Sequence, residues 1–286
     1  MTNYSEILYE VEDGIATVRL NRPTARNALT TTMFTELGSA LGEMDSDDKV
    51  RAAIVTGSGR TFCAGADLSR GRGSTFDLRG RSENGSIPRD RVGLLTLKIF
   101  DSRKPIIAAI NGDAVGGGLT MTLPMDVRLA TRETRFGLVF TRRGIVPEGA
   151  STWFLPRLVG ISRSAEWLYS GRVFSADEAL SAGLIRSVHD PDDLLPAARD
   201  LAAEFITSTS PVSVALSRQM LWRMSGARHP MEAHEADSRG VYYTGQSADA
   251  AEGVASFLEK RSPLFGSKVS SDLPDLFPSW REPEFQ

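Results

Sequence analysis

The sequence predicts an α/β fold with parallel crossovers, and three observations carry that prediction. Apolar runs of strand length recur through the first half of the chain, each separated from the next by helical or glycine-rich sequence. One of them, Pro105–Ile110, leads to a turn holding Gly116-Gly117-Gly118, which opens the apolar stretch Leu119–Leu123 as a strand–turn–helix unit would. From Leu194 onward the chain reads as successive helices. Periodicity alone favours a doubly wound sheet.

The elements follow in order. Ile7–Val11 and Ile15–Leu20 flank Asp13-Gly14, a strong hairpin signal. A helix is expected from the Thr30-Thr31-Thr32 cap region to Leu41, and Val50–Thr56 is the next strand. After a short polar turn comes Phe62-Cys63-Ala64-Gly65-Ala66-Asp67-Leu68, whose small residues let a ligand lie against the backbone. Residues 70–91 form a long polar insertion in which Arg70, Arg72, Arg79, Arg81, Arg89 and Arg91 sit among glycines and serines. It reads either as a solvated loop or as a lid whose arginines meet ligand phosphates. Pro105–Ile110 and Val127–Ala130 are later strands. Four helices are expected at Leu194–Thr207, Pro211–Met224, Met231–Tyr243 and Ala248–Arg261, punctuated by Ser, Gly and Pro. The tail Ser270–Gln286 is rich in Pro and acidic residues but carries Phe277, Trp280 and Phe285, so it either docks on a neighbouring surface or stays loose.

Composition narrows the function classes. The 286 residues suffice for a sizeable core, and a formal net charge of −3 offers no basic field for nucleic acid. Cys63 is the only cysteine, so no intrachain disulfide forms; it reads as a small buried residue rather than a catalytic thiol. There is no N-terminal apolar segment after Met1 and no run that spans a bilayer, so the expectation is a soluble cytoplasmic protein with no membrane partner. His229 and His234 lack the i, i+4 spacing of a helical zinc pair, and there is no Walker loop, nucleophile elbow or dinucleotide fingerprint. No metal and no separate cofactor are expected.

Two sites carry the chemistry. Glycines between a strand and a helix let a ligand approach backbone N–H groups, which suits a developing negative charge. Phe62–Leu68 offers a second close approach, and only a fold with parallel crossovers brings the two together. Phe62–Leu68 followed by Ala108–Gly118 (Ala-Ala-Ile-Asn-Gly-Asp-Ala-Val-Gly-Gly-Gly) resembles the crotonase, or enoyl-CoA hydratase/isomerase, superfamily. Leu20-Asn21-Arg22-Pro23 with Asn27-Ala28-Leu29 matches its first motif, and Arg135-Phe136-Gly137, Gly160 onward, Ala176–Gly183 and Glu252–Arg261 match later ones. The resemblance covers residues 6 to 265. It implies a spiral of ββα units over 1–193, a helical trimerisation region over 194–269, with trimers able to pair into hexamers, and a separate tail over 270–286. The implied ligand is an acyl-CoA thioester, with coenzyme A part of the substrate.

Residue by residue, the resemblance implies that the N–H groups of Ala66 and Gly117 hold the thioester oxygen. It places Ala25, Ala64, Asp67, Leu68, Gly116 and Phe140 along the substrate, although Asp67 also suits local turn hydrogen bonding. Similar hydratases carry two glutamates where this chain has Thr120 and Phe140, neither of which is a base at neutral pH. Glu148, in Gly144-Ile145-Val146-Pro147-Glu148-Gly149, resembles instead the glutamate of the Pro-Glu-Gly segment of Δ3,Δ2-enoyl-CoA isomerases. The alternative for Glu148 is structural: Pro147 suits a first helical position, and an acid in the first turn favours the helix dipole. Phe257 and Lys260 match positions that reach the adenine end of CoA from an adjacent subunit, on the expectation that they share one helix side; core and solvent are their alternative destinations.

Overall fold

Asp13 and Gly14 turn the chain with φ of 51° and 76°, and β1 (Ile7–Glu12) returns as β2 (Ile15–Leu20) in an antiparallel hairpin. The structure, a computed structural model, describes residues 4–69, 76 and 87–285. Arg70, Arg72, Arg79 and Arg81 lie outside the described residues, so the lid expected of the 70–91 insertion does too.

Beyond the hairpin the chain climbs in repeating units. β2 pairs in parallel with β3 (Ala52–Gly57), which pairs with β5 (Ile106–Ile110), then β7 (Val127–Thr131) and finally β10 (Ser187–His189). β3, β5 and β7 are each followed by a short strand: β4 (Thr61–Cys63), β6 (Asp113–Val115) and β8 (Arg135–Gly137) run parallel in a separate sheet, which β9 (Val173–Ser175) closes antiparallel. This two-sheet spiral replaces the single doubly wound sheet that periodicity favours.

α1 (Thr31–Ser46) begins where Thr30 accepts a hydrogen bond from the Met33 N–H, and it buries Met33, Leu37, Ala40, Leu41 and Met44 on one face. That face meets alternate strand residues such as Val18, Ala53 and Val55. The intervening residues Ala52, Ile54, Ile107 and Ala109 point the other way, onto Leu194, Ala198, Leu201 and Ala202 of α6 (Leu194–Ile206). Both sheet faces are therefore covered, which is why β3 and β5 are buried throughout and read as unbroken apolar runs. α2 (Arg91–Asp101), α3 (Gly117–Thr120), α4 (Ser151–Ser170) and α5 (Ala176–Ser181) fill the turns of the spiral; α4 is broken at Gly160. The glycine triplet opens only one helical turn, shorter than Leu119–Leu123 suggests.

α7 (Pro211–Met224), α8 (Pro230–Thr244) and α9 (Ala248–Glu259) follow α6. Arg218 anchors α7. It is buried, pairs with Asp126 at 2.9 Å, and donates to the carbonyls of Ile99 and Phe100 at 2.8 and 3.0 Å and to that of Ser102. Asp126 also accepts from the Trp222 indole at 2.8 Å. No helix among the described residues is long and apolar enough to cross a membrane.

Candidate active site

Three backbone segments converge where β4 and β6 run side by side. Gly65 has φ of 87°, and a Cβ built on it would stand 2.6 Å from the Val115 carbonyl oxygen and 3.5 Å from the Gly117 nitrogen. A Cβ on Gly118 would stand 2.3 Å from the Cys63 carbonyl oxygen. A side chain is thus excluded at Gly65 and Gly118, on the two sides of the approach. Gly118→Ala is expected to force the two loops apart and to destabilise the protein by roughly 1–3 kcal/mol, read as a lowered unfolding midpoint.

Ala66 is exposed and forms a parallel bridge with Leu29, while Gly116 and Gly117 are buried. Among the described residues, neither the Ala66 nor the Gly117 N–H donates to a protein acceptor. Their neighbours do: the Gly116 N–H bonds to the Gly137 carbonyl at 2.8 Å and the Asp67 N–H to the Leu29 carbonyl at 3.2 Å.

Glu148 enters from a third direction. A Cβ on Gly117 would stand 3.8 Å from Glu148 Oε1, 3.2 Å from Val92 and 2.9 Å from Leu29. Oε1 accepts a hydrogen bond from the Thr120 hydroxyl at 2.6 Å. Oε2 is buried and has no partner among the described residues. Burial drives the carboxyl up to about 7, the Thr120 hydrogen bond pulls the other way, and the nearby Asp90 carboxylate pushes it up further. Asp90 belongs to the same construction: it caps α2 through the Gly93 N–H and accepts from the Gly149 N–H at 3.3 Å. The structural alternative for Glu148 does not hold. α4 starts at Ser151 with Ala150 as its N-cap, so Pro147 and Glu148 precede the helix and complement no first turn.

The remaining candidates divide. Ala25, in a turn of 3-10 helix at Pro23–Ala25, and Ala64 are half-buried beside the Ala66 loop; the Ala64 N–H bonds to the Arg26 carbonyl at 3.0 Å. Leu68 is exposed beside it. Asp67 accepts from the Ser69 N–H at 3.0 Å and from Arg22 at 3.2 Å, so its turn role is real, and these bonds hold its carboxyl below the usual range. Phe140 is buried in the main core. Phe257 and Lys260 lie on the outer surface and do not share a helix side: α9 ends at Glu259, and Lys260 takes a left-handed conformation with φ of 55°. The helix stops one residue too soon to align Lys260 with Phe257 at i, i+3. Cys63 is fully buried and its thiol is pushed up to about 12, which makes it inert. His189 bonds to Ser187 at 2.7 Å and His229 caps α8, both structural roles.

Sequence reasoning missed Thr120 as the partner of Glu148 and Asp90 as the link between α2 and the Glu148 segment. Thr120 had a signal: it stands two residues past the triplet, on a position already tied to the chemistry. Asp90 had only its helix-cap character.

A family model described as enoyl-CoA hydratase/isomerase matches residues 10–268. The chain belongs to the enoyl-CoA hydratase/isomerase family. It is 42% identical over 254 residues to an enoyl-CoA hydratase of Alternaria alternata, covering 88% of this chain and 83% of that protein. It is 34% identical to the 1,2-epoxyphenylacetyl-CoA isomerase of Escherichia coli, covering 92% of this chain and 98% of the relative. The crystal structure of an enoyl-CoA hydratase from Bacillus anthracis superposes with a TM-score of 0.83 at 29% identity, covering 91% of this chain and 99% of that one. The two-sheet spiral is thus the crotonase-like fold, and the chain is an enzyme of this family.

Proposed function

We propose that this enzyme is a Δ3,Δ2-enoyl-CoA isomerase in which Glu148 moves one proton. The observation that carries the reading is the Glu148 carboxylate itself: one oxygen held by Thr120, the other buried without a partner among the described residues, beside Gly117 and with its pKa raised to about 7. The Ala66 and Gly117 N–H groups, which donate to no acceptor among the described residues, are the donors for the thioester oxygen. Glu148 takes a proton from C2 of a 3-enoyl thioester. The electron pair delocalises into a dienolate whose oxygen those N–H groups stabilise, each by roughly 2.7–4 kcal/mol. The same carboxyl returns the proton at C4, leaving the double bond between C2 and C3. One carboxylate is enough because the reaction is a proton relay with no net change of atoms. The CoA moiety arrives with the substrate, and no metal or further cofactor enters the scheme.

The names of the relatives favour a second reading, in which Glu148 activates water for addition to a 2-enoyl thioester. Incubation with 3-enoyl-CoA and with 2-enoyl-CoA separates the two. Double-bond migration without a hydroxyacyl product is expected. Hydration of the 2-enoyl substrate with no migration would replace the first reading by the second, and binding without turnover of either would make the chain an acyl-CoA binder.

The pH dependence follows from the raised carboxyl. Glu148 acts as base only when ionised, so kcat/KM is expected to rise with pH through about 7 and to level off above it. A profile already flat at pH 5 would show that another group carries the proton.

The outer faces of α8 and α9 expose Val241, Tyr242, Val254, Phe257 and Leu258, and Leu264 follows them. Such apolar exposure fits burial against further copies of this chain, as a trimer or a hexamer. Sedimentation at micromolar concentration is expected to show an oligomer; a stable monomer would also remove Phe257 and Lys260 from any role across subunits.

A further inference from the structure

The tail beyond the family match, residues 270–285, runs from Asp48 past α7 to Arg89, just before α2. Its path is built from specific contacts. The Ser270 N–H bonds to Asp48 at 3.0 Å. Leu276 is buried with Val212 and Leu216 of α7. The Arg223 guanidinium stands 4.7 Å from the centre of the Phe277 ring and 5.1 Å from that of Trp280, so both aromatic rings clamp one cation. Glu282 then faces Asp101, the last residue of α2, across a cavity they line with Arg223, and the Phe285 ring lies 5.3 Å from the guanidinium of Arg89, next to the Asp90 cap of the same helix. The tail therefore grips α2 at both ends.

α2 is also the helix that shapes the Glu148 site. Val92 in its first turn faces both Gly117 and Gly149, and Asp90 holds the Gly149 N–H. At its other end Phe100 packs edge-on against Trp153, five residues past Glu148, with ring centres 5.9 Å apart. A displaced α2 would thus move the wall beside Gly117, loosen the Glu148 segment and admit water to its carboxyl.

We propose that the C-terminal tail is a positioning strap for α2, with Glu282 and Phe285 as the residues through which it holds the Glu148 site in its working geometry. This rests on the isomerase reading above for its catalytic readout. Among the described residues Asp90 is the charged group that acts on Glu148, Cys63 is a titratable neighbour that Glu148 acts on, and neither is touched by the strap's own substitutions.

The test uses the full-length Glu282→Ala/Phe285→Ala variant, which leaves Leu276, Phe277 and Trp280 in place, alongside a chain ending at Phe277. Faster hydrogen exchange along residues 91–101 is expected in both. With 3-enoyl-CoA, kcat is expected to fall roughly 10-fold while KM stays near wild type, the mark of a mispositioned base. The acidic limb of the kcat profile should move down by about one pH unit as Glu148 becomes hydrated. Unchanged exchange in α2 with unchanged kcat and acidic limb overturns the proposal. A lower melting temperature with kcat and the limb unchanged also overturns it, since the tail would then only add stability. The exchange readout does not depend on the reaction, so an isomerase reading that fails on Glu148→Gln leaves the strap itself separately decided.

Discussion

Glu148→Gln is expected to lower isomerase kcat by roughly 10²–10⁴-fold, the contribution of a positioned general base, while acyl-CoA affinity changes little. The amide keeps the size of the side chain and accepts from Thr120 through its carbonyl oxygen, but it takes no proton at neutral pH. Affinity is spared because the thioester is held by backbone donors that the substitution does not touch. A second signature accompanies the first. The folded carboxyl is raised to about 7 from an unfolded value of 4.5, so between these pH values the folded state binds the extra proton. Stability that this group contributes is present below about 4.5 and is lost as pH rises through about 7. Above pH 7 the wild type carries a buried charge that Gln does not, and the variant is expected to unfold at an equal or higher temperature there. A residue kept for packing would show the reverse: near-normal turnover and a less stable variant. Near wild-type isomerisation by Glu148→Gln would end the mechanism.

Arg218→Ala is expected to cost about 3–5 kcal/mol of unfolding free energy, measured by urea titration, because it leaves the part-buried Asp126 carboxylate without its counter-charge and several buried carbonyls without their donor. The side chain is 3% exposed and joins Asp126 to the end of α2. Arg199→Ala is the contrast. Its partner Glu12 lies 2.7 Å away but is 72% exposed, and loss of that pair is expected to cost about 0–1 kcal/mol. If the two variants lose equal stability, burial is not what gives Arg218 its weight. Turnover per folded Arg218→Ala molecule is a useful second reading, since the same arginine braces the far end of α2.

Much of this architecture was legible along the chain. Asp13-Gly14 specifies a two-residue turn because both positions need positive φ, and the hairpin register follows from it. Thr30, Ser175, Ser210 and Ser247 announce helix starts because their side-chain oxygens accept the first free N–H groups. The candidate base was also legible, but only through the Pro-Glu-Gly resemblance and the loss of carboxylates at Thr120 and Phe140. The chain by itself left open whether Glu148 served a helix. Its backbone answers that, since a left-handed Ala150 delays the helix to Ser151.

What the sequence determined, then, is what depends on neighbouring residues: strand and helix identities, turn conformations, and the small residues that let backbone approach backbone. Only the tertiary structure decided which distant segments meet. Gly65 against Val115, Thr120 against Glu148, and Asp90 against Gly149 are separated by 50, 28 and 59 positions, and no periodicity encodes such pairings. The pKa of Glu148 belongs to the same class. A carboxyl is raised by the water it loses and the charge it faces, and both are set by packing between segments rather than by the residues beside it in the chain.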